Sequence, residues 1–267
     1  MNILVTGYKG FIGKHMVKHL RSHRHTVIGW EWGDQNWNDI DLFLSLDHVI
    51  HLGAISSTTS TDINAIIRQN YLFTKYLVNT CSDFDIPISI ASSASVYGIH
   101  ADRFKESDTP APANPYAWSK FMVEEYCLAG NFRIPIHLFR YFNVYGEGEE
   151  HKGDQASPYH KFTTQAMDGG VVKVFEGSRA FKRDFVPVEY VVEVHERFLH
   201  CGETGIWNIG TGTATSFLNV ATTIANQYNA KVVEIPMPPT LQKHYQPYTQ
   251  ADVTKLHHTL QLLHKDA

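Results

Sequence analysis

Several features that would place the chain in a special class of protein are scarce or absent from its 267 residues. It has only three cysteines, which lie far apart and form no Cys-x-x-Cys pair, so we expect reduced thiols in the cytoplasm. No apolar run is long enough to span a bilayer, and the first residues lack a basic region followed by a long apolar stretch. We therefore expect neither a membrane span nor a signal peptide.

An excess of basic residues is also missing. The formal net charge is −4, which gives no reason to expect binding to nucleic acid or to an anionic membrane. No internal repeat and no low-complexity segment is visible. The apolar and charged fractions are those of an ordinary globular protein, and the length fits one large domain or one domain with a smaller lobe.

Short apolar segments alternate with helical segments through the first half of the chain. The strand candidates are residues 3–6, 26–30, 47–52, 86–91 and 136–139, and the helix candidates between them are 11–21, 63–81 and 115–128. Such alternation predicts an α/β fold, in which helices cover both faces of a Rossmann-type, doubly wound parallel sheet. Sheets of this kind bind ligands beyond the carboxyl ends of their strands.

A glycine-rich turn joins the first strand to the first helix. Gly7, Gly10 and Gly13 have the spacing of a dinucleotide-binding turn. The first glycine permits a tight turn, the second lets the backbone approach a pyrophosphate, and the third lets helix and strand pack closely. The free N–H groups of the helix then face the anion, so the turn predicts a dinucleotide cofactor.

Two side chains near this turn bear on the choice of cofactor. Glu31 closes the second strand, where a carboxylate can bind the adenosine ribose and repel a 2′-phosphate, which favours NAD. Lys9 lies in the glycine turn and could pair with a 2′-phosphate, which favours NADP. We expect NAD or NADP, with NAD weakly preferred.

One helix start carries the residues of a proton-transfer site. Asn114 is a suitable N-cap and Pro115 a suitable first helical residue, and Tyr116 and Lys120 then share one face of the helix. A free tyrosine has a pKa of about 10, and a nearby ammonium and the positive helix end should both lower it. Such a phenol can take a proton from an alcohol, and Ser93 at the end of the preceding strand could bind the reacting oxygen.

Four motifs together resemble the extended short-chain dehydrogenase/reductase family. They are the glycine turn, the Ser-Ser-Ala-Ser-Val-Tyr-Gly segment at 92–98, the Tyr-x-x-x-Lys pair and the Arg-Tyr-Phe-Asn-Val-Tyr-Gly segment at 140–146. The resemblance implies that Tyr116 is the general base, that Lys120 holds the nicotinamide ribose and that Ser93 orients the substrate. It also implies a homo-oligomer that associates through the helix bearing Tyr116.

Later motifs resemble one branch of this family, the ADP-L-glycero-D-manno-heptose 6-epimerases. They are Ser-Ser-Thr-Thr at 56–59, His-Lys-Gly at 151–153, Phe-Glu-Gly-Ser at 175–178, the segment 181–186 and Thr-Gln-Ala-Asp at 249–252. The resemblance implies a nucleotide-diphosphate-sugar substrate and transient oxidation of the sugar by a tightly bound nicotinamide cofactor. It implies an NAD(P)-binding Rossmann domain of residues 1–142 and 186–213, and a substrate-binding lobe of residues 143–185 and 214–267.

With the glycine turn, this resemblance supplies the complete set of candidate binding residues. The cofactor contacts are Gly7, Lys9, Gly10, Phe11, Ile12, Gly13, Glu31, Leu52, Gly53, Ala54, Ser56, Asn70, Lys120 and Val144. The substrate contacts are Ser57, Ser93, Asn143, Asp154, Phe175, Glu176, Gly177, Ser178, Arg183 and Tyr245.

Two basic residues take roles from the resemblance, and each has a simpler alternative. Lys152 is the second acid/base group beside Tyr116, or else a cation that only binds phosphate or cofactor. Arg183 clamps the diphosphate with two parallel hydrogen bonds, or else forms a surface ion pair.

The chain also departs from this branch. The segment between Glu31 and the strand at 47 is short, so a third strand and much of the adenine-side wall are expected to be missing. Asp154 and Lys161 replace a serine and a histidine of the heptose epimerases. These departures keep two alternatives open, namely another nucleotide-sugar 4-epimerase or reductase, and a non-catalytic cofactor-binding protein.

Histidines and tryptophans give weaker signals. His15, His19 and His23 are spaced for one helix face, but no cysteine or acidic residue accompanies them, so we predict a solvated face and no metal site. Trp30 and Trp32, with Trp37, either stack on the adenine or pack within the short segment.

Overall fold

A parallel sheet forms the centre of the protein. The computed structural model describes residues 1–34, 40–99, 103–239 and 245–265. Strands of this sheet are β1 Asn2–Thr6, β2 Thr26–Trp30, β3 His48–His51, β4 Ile88–Ser93, β5 Ile136–Tyr141 and β9 Gly205–Ile209. The six strands run parallel in the order β2-β1-β3-β4-β5-β9. The predicted Rossmann-type fold is confirmed.

Helices cover both faces of this sheet. In chain order they are α1 Phe11–Ser22, α2 Ile40–Leu44, α3 Ile63–Ile66, α4 Phe73–Asp83, α5 Pro115–Ala129, α6 Pro158–Gly169, α7 Val188–Phe198, α8 Phe217–Gln227 and α9 Thr254–Lys265. A π-helical segment, Ile67–Leu72, joins α3 to α4.

Alternating side chains of β1 explain this layering. Ile3 and Val5 pack in one cluster with Met16 of α1 and Val192 of α7. Leu4 points to the other face, in the cluster that α4 and α5 help to build. Because both faces of each central strand are covered, the strands are continuous apolar runs, and that is the pattern visible in the sequence.

A smaller group of elements follows the fifth strand. The chain leaves the large sheet at Phe142, and β6 Asn143–Tyr145, β8 Lys182–Pro187 and β10 Ala214–Ser216 form a three-stranded sheet in the order β10-β8-β6. Strands β7 Val171–Phe175 and β11 Lys231–Ile235 pair in parallel and pack with α6 and α8. The division of the chain into two domains at the stated residues stays a prediction.

The fourth strand ends later than predicted. The sequence pattern indicated residues 86–91, whereas β4 continues through Ser92 and Ser93, which pair with Arg140 and Tyr141 of β5. Serine is not typical of a buried strand, but the backbone groups of both serines complete the hydrogen-bond ladder between β4 and β5. Ser93 therefore stands at the carboxyl edge of the sheet, where ligands bind in this fold.

The adenine-side edge is short, as the sequence indicated. Among the residues that the structure describes, no strand pairs with the outer edge of β2. Residues 35–39, including Trp37, lie outside the described part of the chain. Trp30 is buried and stacks on Phe73 with ring centroids 4.9 Å apart, and Trp32 meets the same ring edge-on. Packing against Phe73 accounts for the buried Trp30, whereas Trp32 is 47 % exposed and its stacking on the adenine stays a prediction.

Two further expectations concern cysteines and membranes. The three cysteines are all free and buried. Within the described ranges, none of the helices combines the length and the apolar composition that a membrane span requires.

Candidate active site

The glycine turn is compressed against a neighbouring loop. Gly7 has a φ of +69°, and a Cβ there would lie 2.7 Å from the Cα of Gly53. A Cβ on Gly13 would overlap the carbonyl oxygen of Gly7, so only glycine lets α1 start this close to β1. Gly10 is the N-cap of α1 and supplies no side-chain cap, which leaves the first N–H groups of α1 available to an anion.

Glu31 lies beside this turn. Its Oε1 accepts a hydrogen bond of 2.6 Å from the backbone N–H of Lys9, and the Lys9 side chain is exposed. The carboxylate therefore stands where the end of β2 meets the glycine turn, which is the position from which a carboxylate can bind a ribose.

The loop after β3 forms the other wall of the crevice. Leu52 and Gly53 bond to Thr6 at the end of β1, so this loop and the glycine turn lie side by side. Asn70 is buried and holds the backbone of Ile55 through both amide atoms, at 2.8 and 2.9 Å. Its amide group therefore positions the loop that carries the predicted contacts Ala54, Ser56 and Ser57.

Helix α5 begins as its sequence indicated. The Asn114 side chain accepts a hydrogen bond of 2.9 Å from the N–H of Ala117, and Pro115 is the first helical residue. This start points Tyr116 toward β4, where the Ser93 side chain lies close enough to its hydroxyl to affect its pKa. The structure thus brings together two residues that are well separated in the sequence.

The expected acidity of Tyr116 is wrong in one respect. Burial of the hydroxyl raises its pKa, and the Ser93 side chain opposes that rise only in part. The nearby ammonium and the positive helix end would by themselves lower the pKa. Desolvation of the phenolate is the larger effect here, because a charged oxygen loses its hydration when protein surrounds it.

Lys120 is held away from solvent beside Tyr116. Its Nζ donates a hydrogen bond of 2.7 Å to the carbonyl of Ala91 and lies 6.0 Å from the centre of the Tyr116 ring. Burial lowers the pKa of Lys120 to about 8, although the charge of Glu124 acts in the opposite direction. Glu124 itself is buried in an ion pair of 2.6 Å with Arg140 of β5.

Lys152 occupies a place close to the start of α1. Its Nζ lies 2.8 Å from a carboxylate oxygen of Glu149 and 4.7 Å from the centre of the Phe11 ring. Burial alone would raise the pKa of Glu149, but Lys152 and hydrogen bonds from Ser157 lower it overall. The ammonium is therefore fixed near the uncapped end of α1.

Arg183 is a buried cation between aromatic rings. Its guanidinium is 5.4 Å from the ring centre of Phe217 and 5.4 Å from that of Tyr245, and the residue is 9 % exposed. Its hydrogen bonds go to the backbone carbonyls of Lys182 and Gln246. Among the described residues no carboxylate forms a salt bridge with it, and burial lowers its pKa. The surface ion pair considered above is therefore not formed within the described part of the chain.

The other predicted substrate contacts lie around the smaller sheets. Asn143 begins β6 and accepts a hydrogen bond of 3.4 Å from Thr249, and Val144 packs on the core beneath it. Phe175 ends β7, and the turn that follows contains Glu176, Gly177 and Ser178. Within the described residues, the buried Ser178 hydroxyl has no hydrogen-bond partner.

Asp154 is exposed, and no contact in the described structure joins it to the other predicted substrate residues. Lys161 donates a hydrogen bond of 2.8 Å to its carbonyl oxygen. A role for Asp154 in binding substrate stays a prediction.

Two buried carboxylates organise the site and were missed as site residues. Asp184 accepts hydrogen bonds from the backbone N–H groups of Thr211, Gly212 and Ala251, which ties three segments together beside Arg183. Glu149 accepts hydrogen bonds from the ammonium of Lys152 and from the backbone N–H of Ser157. Asp184 follows Lys182 and Arg183 at the charged start of a strand that continues into buried Phe185 and Val186, a signal that could have marked it.

Comparisons with known proteins place this geometry in context. The model of the family described as "NAD dependent epimerase/dehydratase family" matches residues 3–210. The solved structure of the ADP-L-glycero-D-manno-heptose-6-epimerase of Helicobacter pylori is 25% identical, with 97% of this chain and 90% of that chain covered and a TM-score of 0.85. MoeE5, solved in complex with UDP-glucose and NAD, is also 25% identical, with 98% and 92% covered and a TM-score of 0.83. The UDP-N-acetylglucosamine 4-epimerase of Methanobrevibacter ruminantium, at 22% identity, covers 97% of this chain and 91% of its own, has a TM-score of 0.83 and shows the shared fold alone.

Proposed function

The chain belongs to the NAD-dependent epimerase/dehydratase family, and we propose that within it the protein is a nucleotide-sugar epimerase acting on an ADP-heptose-like sugar. The observation that carries this proposal is the meeting of Tyr116 and Ser93 at the carboxyl edge of the sheet, with the Lys120 ammonium 6.0 Å from the tyrosine ring. A phenol, a hydroxyl and an ammonium in this arrangement can move a proton to and from a sugar hydroxyl.

The residues around the glycine turn fit a dinucleotide. The uncapped end of α1 suits a pyrophosphate, and the crowding of Gly7 against Gly53 keeps both backbones low enough for a ligand to lie across them. Glu31 favours NAD over NADP because its carboxylate would repel a 2′-phosphate. When bound, the nicotinamide supplies the hydride chemistry of a transient oxidation.

Proton transfer falls to Tyr116. The Ser93 hydroxyl holds the reacting sugar oxygen, and Tyr116 takes its proton and later returns one. Lys120 offsets part of the cost of forming the phenolate in a buried place. The contact of Lys152 with Phe11 favours its role as a cation that binds phosphate or cofactor over its role as a second acid/base group.

Recognition of the sugar nucleotide falls to the smaller sheets. The buried Arg183 has two aromatic neighbours and no carboxylate partner among the described residues, so a diphosphate is the counter-ion that would complete it. The segments at 151–153, 175–178 and 249–252, and the similarity to the Helicobacter pylori enzyme, support the heptose sugar.

Nuclear magnetic resonance of the sugar tests the proposal. Purified protein is incubated with ADP-D-glycero-D-manno-heptose, and in parallel with UDP-glucose and UDP-glucuronic acid. We expect inversion of one carbon of the heptose without consumption of added cofactor. Unchanged spectra with all three sugars would contradict an epimerase, and inversion of a UDP-sugar alone would reject the heptose.

A reductase is the second candidate, because the exposed Asp154 and the half-buried Lys161 stand where the heptose epimerases have other residues. Net oxidation of added NADH or NADPH by a keto-sugar would separate this activity from epimerisation. Epimerisation returns the hydride to the sugar and leaves the cofactor unchanged over the full cycle.

A further inference from the structure

The prediction that no acidic residue accompanies the histidines of α1 is wrong, because two of these histidines and a carboxylate converge at the far end of the helix. His19 and the helix-terminal His23 lie one turn apart, and Glu196 approaches them from α7. The Nε2 of His19 is 2.8 Å from one carboxylate oxygen, and the Nδ1 of His23 is 3.8 Å from the other. The three ligand atoms all lie within 4.8 Å of one another.

This cluster is separate from the candidate active site. Helix α1 rises by about 1.5 Å per residue, so His19 and His23 lie roughly 12 and 18 Å along the helix from its start at the glycine turn. Glu196 likewise belongs to the last turn of α7, away from the sheet edge where Tyr116 and Ser93 meet. None of the roles assigned above uses any of the three side chains.

The donor set is one that transition metals prefer. Two imidazole nitrogens and one carboxylate oxygen bind Zn²⁺ at about 2.0–2.2 Å, which puts neighbouring ligand atoms of a tetrahedral site about 3.4 Å apart. The two histidine-to-carboxylate distances, 2.8 and 3.8 Å, lie on either side of that value. Small side-chain shifts would therefore centre an ion among the three groups.

An ion pair accounts for the contact between Glu196 and His19, and a hydrogen bond to the carbonyl of His19 holds the ring of His23. Glu196 and His19 alone would make a good charged hydrogen bond, but the His23 ring also lies against His19 with centroids 4.4 Å apart. One divalent ion uses both rings in their neutral form and keeps the carboxylate paired.

A further histidine stands close by. His25 lies within electrostatic range of Glu196 and of His23. Its Nδ1 is buried and, among the described residues, has no hydrogen-bond partner. His25 is not among the three groups whose ligand atoms lie within 4.8 Å of one another, so its unpaired nitrogen marks an unsatisfied polar group near the cluster and not a fourth ligand.

We propose that His19, His23 and Glu196 form a binding site for a divalent transition metal of the zinc class, which ties the end of α1 to α7. Binding requires the Nδ1 of His23 to leave the carbonyl of His19, from which it is now 2.9 Å away. Water completes the coordination. The site is structural, because it leaves the proton-transfer groups untouched.

The test uses full-length protein without a purification tag, treated with a chelator and then titrated with ZnCl₂. Because the ion binds only the folded form, Zn²⁺ at one hundred times its dissociation constant should raise Tm by about 5 °C. Mg²⁺ should not, since it prefers oxygen ligands. Calorimetry should give one Zn²⁺ per chain.

Three variants locate the ion. His23→Ala and Glu196→Gln should each weaken Zn²⁺ binding at least tenfold, and His23 is exposed enough that its loss should leave the fold intact. His15→Ala is the matched control, since His15 lies on the same helix and bonds the Glu147 carbonyl instead. An absent Tm rise in the parent protein, or equal Zn²⁺ affinity in the parent and in Glu196→Gln, would overturn the proposal.

Discussion

Tyr116 combines a reactive hydroxyl with an unfavourable environment for its charged form. Burial raises its pKa, Ser93 opposes the rise, and the ammonium of Lys120 is 6.0 Å from the ring. A base of this kind works only if the positive charge nearby is retained. Removing the hydroxyl of Tyr116 alone tests its role in proton transfer directly.

Tyr116→Phe should lower the epimerisation rate by about 10³-fold, because general acid/base groups contribute roughly 10²–10⁴ to rates. The rate is measured by nuclear magnetic resonance, and bound cofactor, measured in the same samples, should be unchanged. Tyr126→Phe is the matched control on the same helix, since its hydroxyl bonds Asn79 at the surface. Parental activity in Tyr116→Phe would favour the non-catalytic alternative.

Arg183 supplies the second prediction at this scale. Arg183→Met should weaken binding of ADP and of the sugar nucleotide by roughly 10- to 100-fold, because charged hydrogen bonds contribute about 1.5–3 kcal/mol each. Isothermal calorimetry measures this loss. Arg179 is exposed in the turn that precedes β8, and the control variant Arg179→Met should bind both ligands normally. Equal affinity in both variants would remove Arg183 from the substrate site.

At the scale of elements, the contact between α1 and the end of β1 holds the glycine turn in shape. The carbonyl of Gly7 faces Gly13 without room for a side chain. A methyl group added at Gly13 would push the helix away from the strand. The uncapped N–H groups of the helix, which are the proposed anion site, would then move with it.

Gly13→Ala should therefore destabilise the protein by roughly 1–3 kcal/mol, the usual cost of overpacking, and should reduce the amount of bound cofactor. Urea unfolding and cofactor content in the purified protein provide the two measurements. Gly169→Ala is the control, because a Cβ there meets nothing within 4 Å. A variant at Gly13 with parental stability and cofactor content would show that this close packing is dispensable.

For the whole molecule, buried histidines set the response to acid. His51 bonds Thr6 and Thr74, His137 bonds Ser89 and the Cys201 carbonyl, and His195 bonds Tyr141. Burial lowers their pKa values to about 3, about 4 and about 3, respectively. Nearby positive charge, from Lys120 on His51 and from His137 on His195, acts in the same direction.

The sign of the pH dependence follows from these directions. Unfolded histidines titrate near pH 6.5, so between that pH and about 4 the unfolded chain binds more protons than the folded one. Stability is therefore complete above pH 6.5 and falls with acidification, by about 2 kcal/mol per histidine at pH 5. Urea unfolding at assay settings of about pH 7.5, 6 and 5 measures the loss of stability. Equal stability at all three would contradict the assigned protonation states.

Local features of the fold and of the proposed site were visible in the sequence. A turn is predicted by Gly7, Gly10 and Gly13, because a helix that starts close to a strand needs residues without a Cβ. The start of α5 is predicted by Asn114 and Pro115, because capping is a local interaction. Apolar runs predicted the parallel strands, because a strand that is covered on both faces carries apolar side chains on both. The polar Ser92 and Ser93 hid the end of β4, since their partners in β5 are distant.

The sequence by itself determined the alternation of strands and helices in the first half of the chain, the glycine turn and the pairing of Tyr116 with Lys120, since each depends on residues within a few positions. Only the tertiary structure decided how far burial opposes the acidity of Tyr116, and which groups surround Arg183. It alone brought Glu196 to His19 across 177 positions of chain. Burial and charge depend on segments that fold together from far apart, and no local pattern encodes which of them will meet.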